Sequence, residues 1–111
     1  MKEYVYLAGA ILTEVIGTTA LKSSNGFENV FLGVLAIGLY IASFYFISLT
    51  LTSLPVGLVY ATWSAVGIVL LATIGILFFG ERVDAAGIAG FVFVIIGITL
   101  LNVYSEAYTP A

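Results

Sequence analysis

The chain contains no cysteine and no histidine. The first absence excludes disulfides and thiol chemistry, and the two together remove the usual zinc and haem ligands, so no metal centre and no cofactor are expected. Charge is almost as scarce. Three Lys and Arg and six Asp and Glu in 111 residues leave a formal net charge of −3, which argues against a nucleic-acid partner. An intramembrane enzyme needs a second acid, a nucleophile with its base, or metal ligands, and the apolar segments supply none of these, so no enzymatic activity is expected.

What the chain has in abundance is apolar surface. At 62% apolar residues and a mean hydropathy of +1.22, it carries more than a soluble core of this length can use, and a bilayer is the natural solvent. Uncharged runs cover Val30 to Leu51, Val56 to Phe79 and Ala85 to Val103, and a further run from Tyr4 to Leu21 is interrupted only by Glu14. Each is long enough to span. The expectation is an all-α membrane protein with a single four-helix transmembrane domain over residues 1–111, its helices at about 4–21, 30–51, 56–79 and 85–103. The first run follows Lys2 and is short, but a secretory signal has an unbroken apolar stretch before a small-residue cleavage site. Here the stretch carries a carboxylate and ends in Leu-Lys-Ser-Ser-Asn-Gly.

At 1.5 Å per residue Glu14 lies about 15 Å from Tyr4 along the helix axis, near the middle of a ~30 Å hydrocarbon core. A carboxylate there costs on the order of 3 kcal/mol, so it faces a protein interior or wet cavity and marks an ion, proton or substrate path. The bland alternative is a carboxylate that merely holds helices together, and no basic residue in any span is available to pair with it.

The connections carry breaker chemistry. Lys22 to Asn29 holds an Asn-Gly turn signal, Pro55 suits the start of the third helix, Gly80 suits a left-handed helix end, and Asp84 suits a cap for the fourth. Such short loops imply antiparallel neighbouring helices in one bundle, and the polar tail from Tyr104 to Ala111 is too short for another domain. With four spans, Lys2 falls on one side and Lys22 and Arg82 on the other. Orientation follows an excess of Lys and Arg in cytoplasmic loops, and a difference of one, cancelled if the terminal amine is counted, predicts insertion in both orientations.

The helical neighbours of Glu14 are Leu7, Ala10 and Ile11 on one side and Gly17, Thr18 and Leu21 on the other, and Thr18 is placed to donate a hydrogen bond one turn away. In the second run Tyr40, Ser43, Phe44 and Ile47 share a face; in the third, Gly57, Tyr60, Trp63, Ser64 and Gly67 do so. Aromatic stripes are more often packing than binding surfaces, but Tyr and Trp usually collect at headgroup level. Tyr40 lies instead near mid-span and Trp63 about 10 Å inside its run. A buried carboxylate with aromatic faces and phenol donors is what a hydrophobic organic cation needs: charge from the acid, and cation–π contacts of ~0.5 to 2 kcal/mol from each ring. The candidate proton- and substrate-binding residues are therefore Glu14, Trp63, Tyr60, Tyr40, Ala10, Thr18, Ser43 and Gly17. In the fourth run Gly87, Gly90 and Gly97 mark a small-residue side, and the seven-residue spacing of Gly90 and Gly97 suggests a packing seam for another helix, as from a second subunit. Gly67 or Gly75 offers the third helix a place to bend.

The segments Ala10-Ile-Leu-Thr-Glu-Val-Ile-Gly-Thr-Thr19, Pro55-Val-Gly-Leu-Val-Tyr-Ala-Thr-Trp-Ser-Ala-Val-Gly-Ile-Val69 and Phe79-Gly-Glu-Arg-Val-Asp84 together resemble the small multidrug resistance family, over essentially the whole chain. The resemblance implies a proton-coupled exporter of quaternary ammonium and other hydrophobic cations in the cell membrane, working as an antiparallel dual-topology homodimer, or as a heterodimer with a paralogue. It places proton and drug exchange on Glu14, the aromatic site on Trp63, Tyr60 and Tyr40, and the dimerisation glycines on Gly90 and Gly97. The guanidinium-exporting branch typically has Gly at the position of Ala10 and Trp at that of Gly17, so the chain looks like the promiscuous branch. Members often carry Gly where this chain has Ala65, which leaves bending of the third helix to Gly67.

One carboxylate and one set of rings make half a cavity. Two oppositely oriented chains complete it about an axis in the membrane plane, as inverted repeats do within larger transporters. Proton and cation would then compete for the charge of Glu14. The alternatives are a guanidinium- or polyamine-type small-cation exporter of the same fold, a rotary proteolipid, whose carboxylate needs no aromatic cavity, and an accessory membrane subunit that transports nothing.

Overall fold

A computed structural model describes residues 2–107. It contains four long helices: α1 (Lys2–Ser23), α2 (Val30–Thr50), α3 (Val56–Phe78) and α4 (Ala85–Thr99), the last continuing into a π-helical turn at Leu100–Tyr104. Each of the stretches Lys2–Ser23, Val30–Thr50, Val56–Phe78 and Ala85–Tyr104 is apolar and at least 20 residues long, hence about 30 Å, enough to cross a membrane. The helices form two compact units, Met1–Thr52 and Ser53–Ala111. The last four residues of the polar tail lie outside the described residues.

The first unit is a helical hairpin whose seam is built from small residues. On α2 these are Ala36, Ser43 and Thr50, seven apart and wholly buried. Their counterparts on α1 are also seven apart. Thr50 Oγ1 approaches the Glu3 carbonyl at 3.5 Å, Ser43 Oγ donates to the Ala10 carbonyl at 2.7 Å, and a Cβ added to Gly17 would stand 3.4 Å from the Ala36 carbonyl. Residue numbers rise by seven along α1 as they fall by seven along α2, which is the register of an antiparallel pair. A heptad spacing keeps one stripe facing the partner, and small side chains let the backbones come close enough for hydroxyl-to-carbonyl bonds. Away from this seam Phe31, Ile41, Phe44 and Tyr45 of α2 are all exposed.

The turn chemistry anticipated from sequence is present. Asn25, Gly26 and Phe27 take positive φ in succession (50°, 68° and 68°), reversing the chain, and the Phe27 ring lies where a side chain at residue 33 would be, so any residue larger than Gly33 would have to displace that ring. Asn29 caps α2 through its side chain, accepting from Leu32 N at 3.2 Å. In the second unit Gly80 takes φ 68° after α3, and Asp84 Oδ1 accepts from Gly87 N at 2.8 Å to cap α4. Gly75 has a definite role: its carbonyl accepts from both Phe79 N and Glu81 N, and the Glu81 side chain folds over its missing Cβ. It thus serves the end of α3, and α3 runs unbroken through Gly67.

Candidate functional site

Glu14 lies on α1 between Ala10 and Gly17, two of the small seam positions, and is neither sealed nor fully exposed. Its Oε1 accepts a hydrogen bond from Thr18 Oγ1 at 2.9 Å, and Thr18 Oγ1 is in turn 2.6 Å from the hydroxyl of Tyr40 on α2. A threonine hydroxyl has one proton to donate and lone pairs to accept with. With Glu14 ionised, Thr18 donates to the carboxylate and Tyr40 donates to Thr18. With Glu14 protonated, the carboxyl can donate to Thr18 and Thr18 to Tyr40, so the polarity of the chain reverses without a heavy atom moving. The three groups therefore accommodate the acid with or without its proton.

Of the other candidates on this hairpin, Ala10 and Ser43 are wholly buried and joined by the 2.7 Å bond across the seam. Gly17 is also buried, and a Cβ there would lie 3.1 Å from Leu39 Cβ and 3.3 Å from the Tyr40 ring. Any larger residue at 17 pushes on Tyr40, and through it on Thr18. An open recess of about 530 Å³ is lined by Thr18, Leu21, Lys22, Asn25, Gly26 and Phe27. The middle link of the chain thus borders space that reaches the polar α1–α2 loop.

The second hairpin carries the aromatic pair. Tyr60 and Trp63 lie one turn apart on α3 with ring centroids 5.8 Å apart and planes at 38°, Tyr60 being exposed and Trp63 half-buried. Gly90 and Gly97 are both exposed, and a Cβ at either would have nothing within 4 Å. Sequence reasoning passed over one polar contact here. Asn102 in the π-helical turn donates to Thr62 Oγ1 on α3 at 3.0 Å. An amide in the last turn of an otherwise apolar run was the available signal.

The chain of hydroxyls sets an expectation for Thr18. Thr18→Val keeps the shape but removes the donor to Glu14, and losing a hydrogen bond to a charged group should weaken cation binding at fixed pH by about tenfold. Thr18→Ser should restore it. Equilibrium binding of tetraphenylphosphonium to the purified variants measures both, and equal affinity in the valine and serine variants would remove Thr18 from the site.

These features define a multi-pass α-helical membrane protein with a carboxylate lodged in the middle of its first span. Residues 2–103 match the family model of the Small Multidrug Resistance proteins. The chain is 44% identical over 110 residues to the multidrug transporter EmrE of Escherichia coli (strain K12), with 99% of each chain covered. It is 42% identical over 106 residues to the quaternary ammonium compound-resistance protein QacF of Klebsiella aerogenes, with 96% of each covered. It is 39% identical over 107 residues to the multidrug transporter PA4990 of Pseudomonas aeruginosa, with 96% of this chain and 97% of the relative covered. The chain belongs to the small multidrug resistance family, whose relatives are transporters and not enzymes, and is a multi-pass protein of the cell membrane.

Proposed function

We propose that the protein exports hydrophobic, aromatic and quaternary ammonium cations in exchange for protons, with proton and cation competing for Glu14. The observation that carries this reading is the Glu14–Thr18–Tyr40 chain, which suits both the ionised and the protonated acid and borders a recess toward the α1–α2 loop. The relatives' names point the same way, since they include multidrug transporters and quaternary ammonium resistance proteins.

In this mechanism the carboxylate, once its proton has left, supplies the charge that holds the cation. Tyr40, Tyr60 and Trp63 supply aromatic faces, each adding ~0.5 to 2 kcal/mol without imposing a fixed hydrogen-bond pattern, which accounts for a broad substrate range. Ala10, Gly17 and Ser43 keep α1 and α2 close, so that the acid and the Tyr40 phenol share one surface. The working unit is a pair of chains in opposite orientations, each with its four helices acting as one domain. The uncovered glycine stripe of α4 supports pairing: Gly90 and Gly97 leave room for another helix to approach closely. Exchange of roles between the two subunits moves the opening from one membrane face to the other. Because the two states have identical composition, their free energies lie close together.

The test is tetraphenylphosphonium binding by the purified wild-type protein and by Glu14→Gln. Saturable binding by the first and none by the second supports the proposal; equal binding by both refutes it.

A further inference from the structure

We infer that Asn102 is a positioning residue for the aromatic face of α3, acting through Thr62 and thereby setting the preference for aromatic over aliphatic cations. The inference rests on the reading above that Tyr60 and Trp63 contact the cation.

An asparagine amide has two N–H donors. In Asn102 the amide nitrogen donates to Ile98 O at 2.8 Å, on its own helix, and to Thr62 Oγ1 at 3.0 Å, on α3. The amide is thus anchored to the backbone of its own helix and reaches across to a side chain of the neighbouring one. Asn102 and Thr62 are both half-buried in largely apolar segments, where an interhelical hydrogen bond favours a particular helix rotation. The backbone around Asn102 is itself specialised. Leu100–Tyr104 is a π-helical turn closed by Ser105 N donating to Leu100 O at 2.9 Å. The wider turn sets which way the Asn102 side chain leaves the end of the helix.

Thr62 links this contact to the rings through helix geometry. Successive residues are about 100° apart around a helix, so a bond that turns Thr62 toward α4 puts Trp63 on the flank and Tyr60, two residues back, about 200° away. Tyr60 is 57% exposed, in keeping with a ring facing away from α4, and its ring is tilted 38° from that of Trp63. Without the Asn102 bond, α3 can turn about its axis and both rings swing with it. A planar aromatic cation, which depends on ring contact, should notice. A compact tetraalkylammonium, held mainly by charge, should notice far less.

The experiment compares Thr62→Val, Asn102→Leu, the double variant and Thr62→Ser with Trp63→Ala, using tetraphenylphosphonium and tetrabutylammonium as probes. Trp63 is the only tryptophan in the chain, so its fluorescence reports directly on the ring's surroundings. Thr62→Val and Asn102→Leu should each lower tetraphenylphosphonium affinity by roughly fivefold, the scale of one lost hydrogen bond, with tetrabutylammonium affinity nearly unchanged and Trp63 emission shifted. The double variant should be no worse than either single one, and Thr62→Ser, which keeps the acceptor, should match the wild type. Equal losses for both cations, additive losses in the double variant, or unchanged emission would each overturn the positioning role. Trp63→Ala separates the two claims. If it abolishes the aromatic preference while the Thr62 and Asn102 variants retain it, Asn102 positions nothing and the binding role of Trp63 stands. If Trp63→Ala leaves the preference intact, the aromatic site itself is wrong and the inference falls with it.

Discussion

Glu14→Gln should lower the affinity for tetraphenylphosphonium by at least a hundredfold and stop exchange altogether, while leaving the helices and their pairing intact. The size follows from the charge. A carboxylate and a cation about 4 Å apart interact by about 4 kcal/mol at an effective dielectric constant of 20, and roughly 1.4 kcal/mol is a factor of ten. Glutamine keeps the length of the side chain and an oxygen that can accept from Thr18, so the network holding α1 to α2 at Thr18 and Tyr40 keeps its shape. The same substitution removes the carboxylate from the middle of the first span, so exchange should be lost together with binding. Glu14→Asp keeps the charge but shortens the reach, and should therefore retain exchange over a shifted pH range. Circular dichroism and size-exclusion chromatography of Glu14→Gln distinguish a lost site from a lost fold.

The second large effect should come from residues far from the site. Four spans in sequence would put Lys2 on one side of the membrane and Lys22 and Arg82 on the other, a near balance expected to leave orientation weakly specified. If both orientations insert and pair, tipping the balance should disable export although no binding residue is touched. Two lysines added near the C-terminus favour one orientation, and two added in the α1–α2 loop favour the other. Each variant alone should confer almost no resistance to a quaternary ammonium compound, and co-expression should restore it. A single variant that is fully active, with one fixed orientation shown by labelling introduced cysteines from each side, would rule out the antiparallel pair.

Much of this protein was legible in its sequence because the bilayer restricts the choices so severely. Four apolar runs gave four helices, and Gly80 and Asp84 took the end and cap roles that their chemistry suggests. The end residues differ for a physical reason. The first helix extends to Lys2–Ser23, beyond the apolar run of residues 4–21, because helical backbone hydrogen bonding does not require apolar side chains and continues through Lys2, Glu3 and Lys22. Composition marks the apolar part of a span and does not mark the end of its helix.

Contacts among the candidate residues were legible only in part. Glu14 and Thr18, at helical spacing, were expected to interact and do. That Tyr40 completes the chain depends on the register of α2 against α1, which the spacing of Ala36, Ser43 and Thr50 encodes only once the partner stripe of α1 is known. Ser43 shared a face with Tyr40, as periodicity indicated, but its hydroxyl is spent on the Ala10 carbonyl. Asn102 escaped notice because a π-helical turn has no simple periodic signature, and one extra residue per turn changes which side chains meet the neighbouring helix.

Competition between proton and cation at Glu14 is the central claim, and calorimetry of tetraphenylphosphonium binding in buffers of different ionisation enthalpy tests it most directly. The account predicts that affinity rises with pH through the range in which the carboxylate loses its proton. Within that range each binding event releases protons, so the apparent enthalpy depends on the buffer. Affinity independent of pH, with the same enthalpy in every buffer, would contradict it.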